Sequence, residues 1–277
     1  VLFDLDPHNL QRASAHVQQV SAAECGGAGV RVLAVHANFA EAPRRLAEAG
    51  LRADVVLADL GFASNQVDDA ARGLSFSRDG PLDMRLDPAA PCSAADLVAS
   101  ASAAELERVI RDYGEERFAR AVARRIVEAR RGAPILTTGR LAEIVRSAVP
   151  PSPPRVGRGG GGIDPATRTF QALRIAVNDE LGNLSALLDA VERAAQALRR
   201  GDGASWLAPG AAVGIIAFHS LEDRPVKRAF ARLVAAGLAE ELTSGPVTAG
   251  EEECRANPRA RSAKFRAVRL TGAAGGP

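Results

Sequence analysis

The 277-residue sequence is short of cysteine, lysine and long apolar runs, and each shortage closes off a class of protein. Its three cysteines, Cys25, Cys92 and Cys254, lie far apart with neither CxxC nor Cys/His spacing. That argues against a zinc site and a secreted disulfide framework, and fits a reducing cytoplasm. His8, His16 and His36 stand alone, so no metal site is expected. No run of about 18 apolar residues occurs, so no membrane span is expected. Lys227 and Lys264 are the only lysines, and nearly all positive charge is arginine; beside so much alanine this reflects biased composition and says little about RNA. The formal net charge of +2 announces no polyanionic partner, although six arginines crowd into residues 117–131 and a second basic cluster lies at 255–269. The opening VLFDLD has neither a basic leader nor a cleavage pattern and reads as the interior of a domain, with more chain expected before it.

What the sequence does have is alternation. VLFDLD is a short apolar strand, and PHNLQRASAHVQQV follows with Leu10, Ala13 and Val17 at helical spacing. RVLAVHANF (31–39) is a second strand, RRLAEAGL a helix ending near Gly50, and ADVVLADLG (53–61) a third strand of the fully buried type. Far downstream, LAPGAAVGIIAFHS (207–220) supplies another apolar strand, LEDRPVKRAFARLV a helix and SAKFRAVRL an alternating terminal strand. This predicts an α/β fold with a parallel, doubly wound sheet.

Residues 90–160 interrupt the alternation with helical patterns, among them Phe118, Val122 and Ile126 with arginines on the other side, and read as an inserted helical domain. PPSPPRVGRGGGG closes it as a mobile basic loop. Asp164 then caps a helix with Pro165 in its first turn, and the apolar positions run on from Phe170 to Leu198, with Gly182 as the expected weak point. The expected division is 1–89 and 161–277 for the sheet domain and 90–160 for the insert.

In a doubly wound sheet, ligands lie beyond the carboxyl ends of the strands, and an acid ending the second strand commonly binds ribose hydroxyls. Asp4 is placed for that role, while Asp6, followed by Pro7, suits a helix cap. Asp59 ends a buried-type strand, where an unpartnered acid is costly and therefore informative. Phe39 could flank an adenine ring or fill the core. His219 ends a late strand, with Ser220 as the expected cap of the next helix and Glu222 and Asp223 in its first turn. RGLSFSRDGPLDMRLD (72–87) shows no regular period, yet carries Leu74, Phe76, Leu82 and Met84, as an ordered loop with a task would. An ion-paired surface loop is the alternative.

Five collinear segments, ADLGFASNQVDDAARGLSFSRDGPLDMRLD, YGEERFARAVARRIVEAR, DPATRTFQALRIAVNDEL, APGAAVGIIAFHSLEDRPVKR and NPRARSAKFRAVRL, closely resemble the motifs of the RsmH (MraW) family of bacterial methyltransferases. The resemblance implies a Rossmann-like S-adenosylmethionine-dependent methyltransferase with an inserted all-helical domain for substrate recognition. It implies methylation of N4 of a cytosine in the decoding region of 16S rRNA, with the small ribosomal subunit as partner. The family's cofactor contacts fall on Asp4, Phe39, Asp59 and Gln66, where the family's SSPQ stands here as ASNQ. The family's glycine-rich GxGGHS loop would lie upstream of residue 1, and the stretch around SAAECGGAG looks like a surface insertion.

Transfer to an amine whose lone pair is delocalised into the ring needs an acceptor for its proton, and Asp83 and His219 are the candidates. Arg72, Arg78, Arg85, Arg124, Arg168 and Arg224 are candidates for holding RNA phosphates. The oligomeric state is open, with a homodimer as one alternative. A nicotinamide-dependent oxidoreductase would share the Asp4 geometry but not the five motifs, and a non-catalytic RNA-binding factor would not need both acids.

Overall fold

The computed structural model describes residues 1–24, 30–150, 164–203 and 205–272, apart from the side chain of Glu24. Cys25, the glycines beside it and the Pro/Gly-rich loop after Pro150 lie outside the described residues. The chain divides into two compact units, Val1–Gly61 with Leu181–Pro277, and Phe62–Glu180.

The first unit opens with β1 (Leu2–Asp4), α1 (Pro7–Glu24), β2 (Ala34–His36), α2 (Ala42–Glu48) and β3 (Ala53–Asp59). The second unit holds α3 (Ser64–Asp68), α4 (Ala94–Ser100), α5 (Ala103–Gly114), α6 (Ala119–Gly132), α7 (Thr138–Ala148) and α8 (Ala166–Asn178). The chain then completes the first unit with α9 (Glu180–Arg199), β4 (Leu207–Ala217), α10 (Ser220–Ala235), β5 (Ala239–Glu241), β6 (Val247–Thr248), α11 (Glu251–Ala256) and β7 (Lys264–Leu270). Among the described residues no helix is long and apolar enough to cross a membrane.

The fold is α/β, as the alternation predicts, but the strands form two sheets rather than one. β1 pairs with β2 in parallel, and a second sheet runs β3-β4-β7-β5 with β6 added to β7. β3 and β4 are parallel, whereas β7 runs antiparallel to β4, β5 and β6. No described strand pairs with the second edge of β1 or of β3, so the backbone groups on those edges have no ladder to join. On the inner face, Ala211, Val213, Ile215 and Ala217 of β4 pack with Leu184, Leu188, Val191 and Leu198 of α9 and with Val226, Phe230 and Leu233 of α10. Burial of this alternate set on a half-covered strand explains the period-2 pattern of β4. Val55 and Leu57 of β3, in contrast, are 70% and 65% exposed.

The second unit has its own core. Val98, Leu106, Ile110, Val122, Ile126, Leu141, Val145, Phe170 and Leu173 form it, joined by Leu82 and Met84 from the loop. The insert opens with two helices, α4 and α5, each started by a serine: Ser93 with Asp96 and Ser102 with Glu105 cap each other reciprocally. The segment from Asp164 is also two helices. Its break falls at Asp179, in the left-handed conformation at φ 48°, rather than at Gly182. The cause lies in the neighbouring Asn178, whose amide donates to the Met84 carbonyl at 2.8 Å and whose carbonyl accepts the Leu86 amide at 2.7 Å. This ties the end of α8 to the loop. Compact as it is, this unit is wider than the expected 90–160 stretch, because the 72–87 loop and α8 belong to its core.

Candidate active site

Three strand ends of the first unit, those of β1, β3 and β4, present the polar groups singled out in the sequence. Asp4 closes β1 beside His36 of β2. Its Oδ1 accepts the Asp6 amide at 2.7 Å, and burial pushes its carboxyl above the ordinary value against the pull of that amide. Asp6 takes the cap role expected of it: it is buried, and its Oδ1 accepts the His8 amide at the start of α1. Asp59 closes β3, and no described group donates to it. Partial burial pushes its carboxyl above the ordinary value.

Phe39 follows β2 in a short 3-10 turn that Asn38 caps through the Ala40 amide, and its ring is partly buried against the first unit's core. Gly61, two residues past Asp59, has φ 95°, a conformation open to glycine and strained for other residues.

At the end of β4, His219 itself occupies the cap position of α10, which corrects the expectation for Ser220. Glu222 explains the difference. Its buried carboxylate accepts the backbone amides of Phe218 at 2.8 Å and His219 at 3.3 Å, and its other oxygen lies 3.3 Å from His219 Nε2. The sequence signal was the acid three residues after the cap, read there as helix electrostatics alone. That second oxygen lies beside the His219 ring, which is 16% exposed. Asp223 points elsewhere, to Arg266 at 2.7 Å and Lys264 at 3.4 Å, and the Arg266 guanidinium holds it below the usual carboxylate range.

In the second unit, Gln66 is buried, with its Oε1 accepting the Ala63 amide at the start of α3. Asp83 is gripped by Arg85, whose Nε and Nη2 donate to its two oxygens at 2.8 and 2.7 Å, while the Arg85 amide adds a third bond. These contacts hold Asp83 below the ordinary carboxyl value. Arg72 donates to the carbonyls of Arg85 and Leu86, and Arg168 to that of Glu115. Arg78, Arg124 and Arg224 are exposed.

Parallel strands that each deliver a polar side chain at the carboxyl end define a Rossmann-like ligand-binding protein of the α/β class. The chain belongs to the MraW methylase family, whose model matches residues 1–271. It is 47% identical over 290 aligned residues to the ribosomal RNA small subunit methyltransferase H of Methylobacterium nodulans, covering 99% of this chain and 78% of that protein. The protein of the same name from Sorangium cellulosum is 47% identical over 256 residues, covering 92% and 75%. That of Syntrophotalea carbinolica is 46% identical over 257 residues, covering 87% and 76%. Membership in a methylase family implies a methyl donor.

Proposed function

We propose that the protein transfers a methyl group from S-adenosylmethionine to the exocyclic N4 amine of a cytosine in the decoding region of 16S rRNA, acting on the small ribosomal subunit in the cytoplasm. The observation that carries this reading is the pair of carboxylates, Asp4 and Asp59, that end parallel strands and are raised by burial, a placement that suits hydroxyl and ammonium donors. The relatives' shared name points to the RNA. The residues fit the cofactor: Asp4 accepts the ribose hydroxyls, Phe39 flanks the adenine, and Asp59 faces the donors of the remaining end, with Gly61 leaving room for close backbone approach. Bound there, S-adenosylmethionine supplies an electrophilic methyl on a positively charged sulfur.

Transfer forms a nitrogen–methyl bond, breaks the sulfur–methyl bond, and leaves one amine proton to be removed. The chain's own contribution is to hold the amine in line and accept a hydrogen bond from it. His219 is favoured over Asp83 for this, since it ends β4 with a Glu222 oxygen 3.3 Å from its Nε2, while Arg85 occupies both Asp83 oxygens. The second unit serves substrate recognition.

The test is to incubate the full-length protein with small ribosomal subunits and isotope-labelled S-adenosylmethionine, digest the RNA and analyse the nucleosides by mass spectrometry. N4-methylcytidine from the decoding region is the expected product. A label on carbon 5, or none in the RNA, overturns the reading.

A further inference from the structure

The arginines of the second unit fall into two groups. Most are committed: Arg111 to Asp112 at 2.9 Å, Arg140 to Glu143 at 3.3 Å, Arg146 to Asp164 at 2.8 Å, and Arg130 to the carbonyls of Val98 and Ala101. Arg78 and Arg108 stand singly, whereas the uncommitted arginines gather along α6, where five arginines face a single acid, Glu128, and that acid is taken by Arg125 at 3.0 Å. Arg120, Arg124 and Arg131 are exposed and make no ion pair or hydrogen bond among the described residues. At 100° per residue these three lie within a sector of about 40°, in a row about 17 Å long, opposite the buried Val122, Ala123 and Ile126. Just before the helix, Arg117 is also exposed, its guanidinium held over the Phe118 ring at 4.5 Å.

Such a row is unfavourable for the helix itself, because like charges four residues apart repel, while α5 and α7 place an acid within reach of an exposed arginine. It is suited to a partner that brings regularly spaced negative charge. We propose that the exposed face of α6 is a contact surface for the RNA sugar-phosphate backbone, with Arg120, Arg124 and Arg131 each facing a phosphate. The inference rests on the proposed rRNA substrate and adds where the chain grips it. The row holds phosphates without reading bases, so it strengthens binding of the subunit and leaves target choice to the active site.

The test compares two variants of the full-length protein that remove equal charge: R120Q/R124Q on the unpaired row and R111Q/R140Q on paired positions. Binding to small ribosomal subunits and to protein-free 16S rRNA is measured from low to high salt. R120Q/R124Q is expected to weaken both about 30-fold at about 0.1 M salt and to flatten the log-log salt slope by between about 1.4 and 1.8, with S-adenosylmethionine affinity unchanged. R111Q/R140Q is expected to change each by less than about half as much. Equal losses in the two variants would reduce the row to bulk charge, and a loss on subunits but not on free rRNA would assign α6 to a ribosomal protein. Either result overturns the proposal. Absence of rRNA methylation by the unaltered protein would instead overturn the substrate reading beneath it, and the two failures are thus distinct.

Discussion

β3 and the 72–87 loop reverse each other's appearance. ADVVLAD is apolar enough to pass for a strand covered on both faces, yet two of its large side chains, Val55 and Leu57, are among the most exposed apolar groups of the protein. The loop has no regular period and is rich in charge, yet Leu82 and Met84 are 2% and 1% exposed. Hydrophobicity along a strand reports what its faces can bury, and the burial depends on neighbours elsewhere in the chain or beyond it. The loop carries its own supports. Arg72 bonds two loop carbonyls, Asp83 binds Arg85, and Asp79 accepts the Gly139 amide at 2.7 Å. Gly73, at φ 65°, lets the chain pass so close to Pro81 that a Cβ would lie 2.2 Å from that carbonyl oxygen.

The sharpest way to break this comparison is to make one substitution in both places. Leu82→Ala is expected to cost about 3 kcal/mol, a transfer loss plus a cavity among Leu106, Ile126 and Leu141. Leu57→Ala is expected to cost no more than about 0.5 kcal/mol, because most of that side chain already meets water. Chemical denaturation of the two variants measures both. A cost at Leu57 close to that at Leu82 would mean that the outer face of β3 is covered in solution.

The sequence made much of this legible, and its failures share a cause. Local signals held where the determining partner is close in the chain, as at Asp6 beside Pro7. They failed where it is distant. The break at Asp179 follows from Asn178 bonding to residues more than 90 positions away, and Gly182, the obvious breaker, lies within α9. The 72–87 loop read as ordered, but how deeply it is buried was not legible, because its ties, from Asn178 to Met84 and from Asp79 to Gly139, leave no periodic trace. For the candidate site, residue types at strand ends singled out Asp4, Asp59 and His219, whereas Glu222 drew attention only as a helix-terminal charge.

The next largest effect is expected at the strand-end acid Asp4. Asp4→Ala is expected to weaken S-adenosylmethionine binding by about 2 kcal/mol, the loss of charge-assisted bonds to the ribose. Because burial raises its carboxyl above the ordinary 3.8, affinity in the unaltered protein should decline as pH falls through that raised value, before an ordinary aspartate would protonate. The decline should be absent from Asp4→Asn, which carries no ionisable group there. Calorimetry across pH measures both, and an unchanged affinity in Asp4→Ala would remove Asp4 from the site.

The smallest effect separates the two held acids, Asp83 in the loop and Asp223 on α10. Both are depressed by an arginine, Arg85 and Arg266. A depressed carboxyl contributes stability that is fully present above its unfolded value, here 3.8, and is lost as pH falls through the lower folded value. Each pair should therefore add an acid-labile contribution of about 1 kcal/mol, absent from Asp83→Asn and Asp223→Asn respectively. The contribution at Asp223 should be the larger, because Asp223 and Arg266 are 13% and 14% exposed against 27% and 25% for Asp83 and Arg85, so water screens them less. Denaturation curves of both variants at neutral pH and near pH 3 would measure the difference. A larger loss at Asp83 would show that the irregular loop relies on its ion pair more than on Leu82 and Met84.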